Sequence, residues 1–199
     1  MKKTSILVSK LFVGAALFSL SLTSCKQEPK QEDPQEVAEE ANEEKFDNMP
    51  NDSLEDDSDY LVKTVAVDQK EIALAKLAQT KSTNPDVKAF AKMMEAAHAK
   101  SETEVKALAA KKNITVPAAL TDKAEDKYAD LNEKSGVDFD KAYADAMVDG
   151  HEKFISKIEK AAENAKDPDI KMWAANTLPT LREHLEHAKT LKTKTDALK

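Results

Sequence analysis

His98, His151 and His184 each interrupt a run of apolar residues spaced three and four apart, and Glu71 does the same in the run before them. Imidazole nitrogens and a carboxylate together bind borderline divalent metals, so these four residues would form a metal site if their elements brought them level. Glu71 lies 13 residues before Asn84 and His98 lies 14 after it, while His151 lies 16 before Asp167 and His184 lies 17 after. Across each turn the pair is level. Between the two turns the offset is about one helical turn, so all four would share one depth and one interior.

Glu95-Ala96-Ala97-His98 adds a further candidate ligand, Glu95, and matches the Glu-x-x-His element that di-metal carboxylate bundles place on two helices. A second such element is missing. Glu183-His184 and His187 have the wrong order, and His151 stands where a carboxylate would be required. A mononuclear site on Glu71, Glu95, His98, His151 and His184 therefore suits the sequence better than a di-iron centre, with zinc or iron as the expected ion and copper or nickel as further borderline metals. The competing reading is a polar core network in which Glu71 accepts hydrogen bonds from the histidines and fixes helix register.

The elements that must carry these residues are legible from a repeat. Asn84-Pro85-Asp86-Val87-Lys88 recurs as Asp167-Pro168-Asp169-Ile170-Lys171. In each copy a capping residue precedes a proline at the first helical position and an acid favoured by the helix dipole, so each opens a helix. Helical sequence also runs up to each opening. Two helical hairpins follow, with helices expected at 59–81, 85–112, 139–165 and 168–195. A shorter helix near 122–134, capped by Thr121, lies in a crossover long enough to run the length of a bundle. The fold class is all-α, a four-helix bundle of ferritin-like connectivity with that extra helix in the crossover. Pro179 falls inside the last helix and predicts a kink.

Residues 1–24 read as a lipoprotein signal peptide. Lys2, Lys3 and Lys10 precede an apolar run that ends in Leu22-Thr23-Ser24-Cys25, which resembles the bacterial lipobox, with Cys25 as the lipidation site. Cys25 is the chain's single cysteine, so no internal disulfide and no cysteine zinc motif is available. Residues 25–58 carry a large excess of acids and few large apolar side chains, which predicts a disordered tether. The domain would then occupy 59–199. The whole chain carries −7, of which residues 1–24 contribute +3 and residues 26–59 contribute −11, leaving about +1 for the rest. A nearly neutral bundle lacks the basic stripe of a nucleic-acid binder, so the expected partner is the membrane, through Cys25, with an envelope protein or small ligand as a further partner.

Glu71, the run Val87-Lys88-Ala89-Phe90-Ala91 to His98, Gly136 with Phe139-Asp140 and Tyr143, His151, and Leu178-Pro179 with His184-Leu185 resemble the domain of unknown function 4142 family over about residues 59–192. The resemblance implies a ferritin-like bundle in a secreted or outer-membrane protein, facing the periplasm or the cell surface, and points to Glu71, His98, His151 and His184 as shared positions. It implies no reaction. This chain departs from the family pattern at Ala97 and Met147, where polar residues are usual. No phosphate loop or cysteine nucleophile is present in the bundle, so the expectation is a non-catalytic binding or structural protein, with metal binding as the alternative.

Overall fold

Both Pro-Asp repeats start helices, by the capping chemistry that the sequence suggests. Asn84 Oδ1 accepts from the amide of Asp86 at 2.9 Å, and Asp167 Oδ1 accepts from Asp169 and Ile170 at 2.9 and 3.1 Å. The computed structural model describes residues 32–47 and 53–199. Among them are six helices and no strand: α1 (Pro34–Phe46), α2 (Ser53–Lys81), α3 (Pro85–Lys111), α4 (Asp122–Asn132), α5 (Gly136–Asn164) and α6 (Pro168–Asp196). The leader at 1–24, Cys25 and the first residues of the expected tether lie outside the described residues.

The chain forms an all-α helical bundle. α2 pairs with α3 and α5 with α6 across short turns, and the pairs meet through α2 on α5 and α3 on α6. α2 also packs against α1 and α4, so it is buried on nearly every side. That is why its sequence shows no clean stripe. An amphipathic pattern needs a solvent face, and α2 has little of one.

α3 ends in a tight reversal. Asn113 adopts φ 58°, and the amides of Asn113 and Ile114 bond back to Ala110 and Ala109 at 3.1 and 2.9 Å, which is a Schellman arrangement. Ile114 packs at one end of the bundle with Val105, Ala109 and Ile170, whereas Leu131 of α4 packs at the other with Leu74, Leu77 and Phe139. The crossover thus carries the chain from end to end. Thr121 caps α4, accepting from Ala124 at 3.2 Å. α6 continues through Pro179. Ala175, whose carbonyl loses its helical donor there, is exposed.

The acidic stretch at 25–58 departs from the expected disorder wherever it is described. α1 occupies 34–46, and α2 begins six residues before the expected 59. The physical reason is a stripe too narrow for composition to reveal. Ala38, Asn42 and Phe46, one per turn, are all buried, and the exposed positions of α1 are glutamates except for Val37. Asn42 does most to seat the helix: its Nδ2 donates to the Thr115 carbonyl at 2.8 Å and its Oδ1 accepts from the Thr115 amide at 2.7 Å. Asp33 caps α1 through Gln35 with one oxygen and accepts from the Asp122 amide with the other, both at 2.8 Å.

Asn42→Ala takes both partners from the part-buried Thr115 amide and carbonyl, so it is expected to destabilise the chain by about 1–3 kcal/mol. Urea unfolding measures it. A midpoint equal to that of the parent would mean that α1 does not dock in solution.

Candidate functional site

The middle of the bundle is polar, and the polar layer is walled by apolar ones. On one side stand Leu74, Ala75, Met94, Met147 and Ala188, and on the other Phe154, Ile155 and Leu181. Between them His98 of α3, His151 of α5 and His184 of α6 form a triangle with ring centroids 5.6, 5.6 and 5.7 Å apart. One ring nitrogen from each lies within 4.8 Å of the other two. All three side chains are buried.

Hydrogen bonds orient two of the rings from behind. His98 Nδ1 is 2.7 Å from Asp68 Oδ1, and His151 Nδ1 is 2.8 Å from the Met147 carbonyl. A carbonyl only accepts, so His151 Nδ1 carries the proton and, in the neutral ring, Nε2 is a bare lone pair. His98 follows the same logic against a carboxylate. The nitrogens left over, His98 Nε2, His151 Nε2 and His184 Nδ1, have no hydrogen-bond partner among the described residues.

Glu71 of α2 is buried beside this triangle. Its Oε1 pairs with Lys70 Nζ at 3.1 Å and lies against α5 at Gly150, while Oε2 has no partner among the described residues. Burial alone would raise the Glu71 carboxyl, but the charge of Lys70, with help from His98 and His151, outweighs it and holds the carboxyl below its ordinary value. Asp68 behaves in the opposite way. Burial lifts its carboxyl above the usual range, against the His98 hydrogen bond and the nearby Ser101 hydroxyl. Burial also pushes the Tyr143 phenol well up, and the charge of Glu71 adds to the shift.

Four of the five candidate ligands therefore come to one layer, and one does not. Glu95 is half-exposed at the α2–α3 edge, where Oε2 accepts from Gln79 Nε2 at 2.6 Å and Oε1 lies 3.8 Å from Lys76. Three residues before His98, its side chain leaves the helix towards α2's outer flank, so the Glu-x-x-His element is not assembled around the histidines. Asp68 was missed from sequence. Its signal was present: it precedes Glu71 by three residues, on the same face of a helix otherwise rich in Val, Leu and Ala. Cys25 lies outside the described residues.

The family described as a domain of unknown function (DUF4142) matches residues 39–191. The chain belongs to this family. The matched span opens inside α1 and so takes Asn42 and Phe46 into the family unit. No curated protein matches the chain, and no solved structure does.

Burial pushes the His184 ring down to about 4, with the neighbouring His98 and His151 adding to it, and pushes His151 down against the charge of Glu71. Both rings bind a proton less readily folded than unfolded, where the value is 6.5. Their stabilisation is therefore complete above pH 6.5 and declines as pH falls towards 4, with protonation of Asp68 opposing the decline. Thermal unfolding of the metal-free chain should show a midpoint that drops across that window. His184→Phe should flatten the drop, and an unchanged slope would place His184 outside the core.

Proposed function

We propose that this is an envelope-tethered, non-catalytic lipoprotein whose four long helices form a ferritin-like bundle around a mononuclear metal centre on His98, His151 and His184, with Glu71 beside it. One observation carries the metal reading: the convergence of three buried imidazole nitrogens with no hydrogen-bond partner among the described residues. In a polar core network these atoms would bond to one another or to Glu71. Left unsatisfied, each would cost about 1–3 kcal/mol. Three such nitrogens brought together suit a cation, and the backing of His98 by Asp68 and of His151 by the Met147 carbonyl is the support that metal-bound histidines receive.

Zinc–nitrogen bonds of about 2.0–2.1 Å would draw the three rings slightly inward from their present spacing. A nitrogen-rich set with a carboxylate nearby suits zinc or iron, and the chain's single cysteine removes a thiolate site. The ferritin-like connectivity is supported by the end-to-end crossover and by the pairing of α2 with α5 and of α3 with α6. Tethering is supported by the lipobox-like Leu22-Thr23-Ser24-Cys25 and by the outer-membrane character that the family resemblance implies. No helix among the described residues is long and apolar enough to cross a membrane.

Thermal unfolding with chelator and with zinc or ferrous iron tests the centre. At a metal concentration a hundredfold above Kd, the midpoint of the parent should rise by about 5–10 °C. His98→Gln should abolish that rise, since Gln is a poor ligand, while changing the chelated midpoint little. A parent curve that ignores every metal tried sinks the reading.

For the tether, Cys25→Ser should move the protein from the membrane fraction to the soluble one, because the acyl chains on that residue would be its anchor. A mutant that stays in the membrane fraction with its leader removed has another attachment.

A further inference from the structure

Lys70 and Glu71 are neighbours in α2, and neighbouring residues on a helix ordinarily point a hundred degrees apart. Here their charged ends meet at 3.1 Å. The meeting takes place over Gly150 of α5, where a Cβ would stand 3.3 Å from Glu71 Oε1 and 3.8 Å from Lys70 Nζ. A missing side chain on one helix thus makes room for an ion pair folded back along another. Lys70 is only partly covered and keeps contact with water, whereas Glu71 is fully buried, so the lysine reaches inward from the surface to hold one oxygen of an interior carboxylate.

That hold has a consequence for coordination. Among the described residues, the ligand atoms that lie mutually within 4.8 Å belong to the three histidines alone, so neither Glu71 oxygen joins the cluster. A carboxylate with one oxygen against an ammonium is a weaker donor than a free one, since its charge is already shared. Three protein ligands with the fourth position left to an exchangeable group is the arrangement of an open zinc site, whereas four protein ligands make a closed one. We propose that Lys70 holds Glu71 back from the metal, leaving a fourth coordination position for water or a small anion, with the free Glu71 Oε2 beside it as a hydrogen-bond acceptor. This rests on the metal reading of His98, His151 and His184 given above, and assigns Lys70 as a positioning residue.

Cobalt(II) is the probe, because its visible bands report coordination directly. In the full-length chain purified in detergent and loaded with cobalt, azide should bind saturably and shift the visible spectrum. In Lys70→Met the released carboxylate closes the site. Azide binding should then weaken by about tenfold or more and cobalt should bind more tightly, in the range over which groups that orient metal ligands act. Lys70→Met combined with Glu71→Gln should restore the azide response, which identifies Glu71 as the group that closed the site. Cobalt that binds the parent and three histidines but ignores azide overturns the open position and leaves the metal reading standing. An unchanged azide response in Lys70→Met overturns the role of Lys70. A parent that binds no cobalt at all overturns this inference and the metal reading together.

Discussion

Desolvation of a polar layer at mid-bundle is the constraint on which the rest of this structure depends. Three imidazoles and two carboxylates are removed from water in the middle of helices that are apolar above and below. Each of these groups is costly inside unless it meets a partner of matching chemistry. A shift of any one helix by a single turn would leave Asp68, Glu71 or an imidazole facing methyl groups. The layer therefore fixes the relative heights of α2, α3, α5 and α6 far more sharply than the alanine-rich apolar contacts would, since small side chains slide past one another with little change in packing.

Held at its centre by that layer, the bundle is also tied at the end where α3 stops and α6 starts. Asp167 caps α6 and accepts from Lys112 at 2.6 Å, while its own amide donates to Asp57 of α2 at 2.6 Å. Lys112 also lies 2.8 Å from Asp169, and these two acids together hold its ammonium above the ordinary lysine range. One aspartate thus ends a turn, begins a helix and clasps two other helices. The duplicated Pro-Asp motif is not symmetrical in this respect. Asn84, its counterpart, caps α3 without a charge and bonds only within its own turn.

How much of this was legible in the sequence follows from what each feature depends on. Helix starts are local, so Asn84, Thr121 and Asp167 could be read as caps, and the crossover followed from its length. The histidines were legible because each interrupts a stripe and each is level with another across a turn. Asp68 was harder to see, because α2 is enclosed on almost every side and carries apolar residues on several faces, so no single stripe marks Asp68 as an interruption. Glu95 misled for the reverse reason: a local Glu-x-x-His spacing fits a motif, yet the direction of a side chain from its helix decides whether it faces the core, and three residues are not a full turn. α1 was invisible to composition, since the three residues that seat it, Ala38, Asn42 and Phe46, are outnumbered by acids that merely face water.

α1 packs on α2, which follows it, but most of its side-chain hydrogen bonds to other elements reach far along the chain. Asn42 meets Thr115, Lys45 meets the Asn113 carbonyl, and Asp33 meets Asp122, at separations of 73, 68 and 89 residues. The α2–α3 and α5–α6 pairs, by contrast, close over turns of three residues each. Loop closure of the distant kind carries a larger entropy loss and slows the contacts that require it. During synthesis α1 meets α2 as soon as that helix is made, but the polar contacts that seat it wait through α2 and α3 until the crossover has been laid down. A chain interrupted before about residue 113 would keep its first hairpin and α1's apolar contact with α2, but would leave Asn42 without the Thr115 backbone that satisfies it.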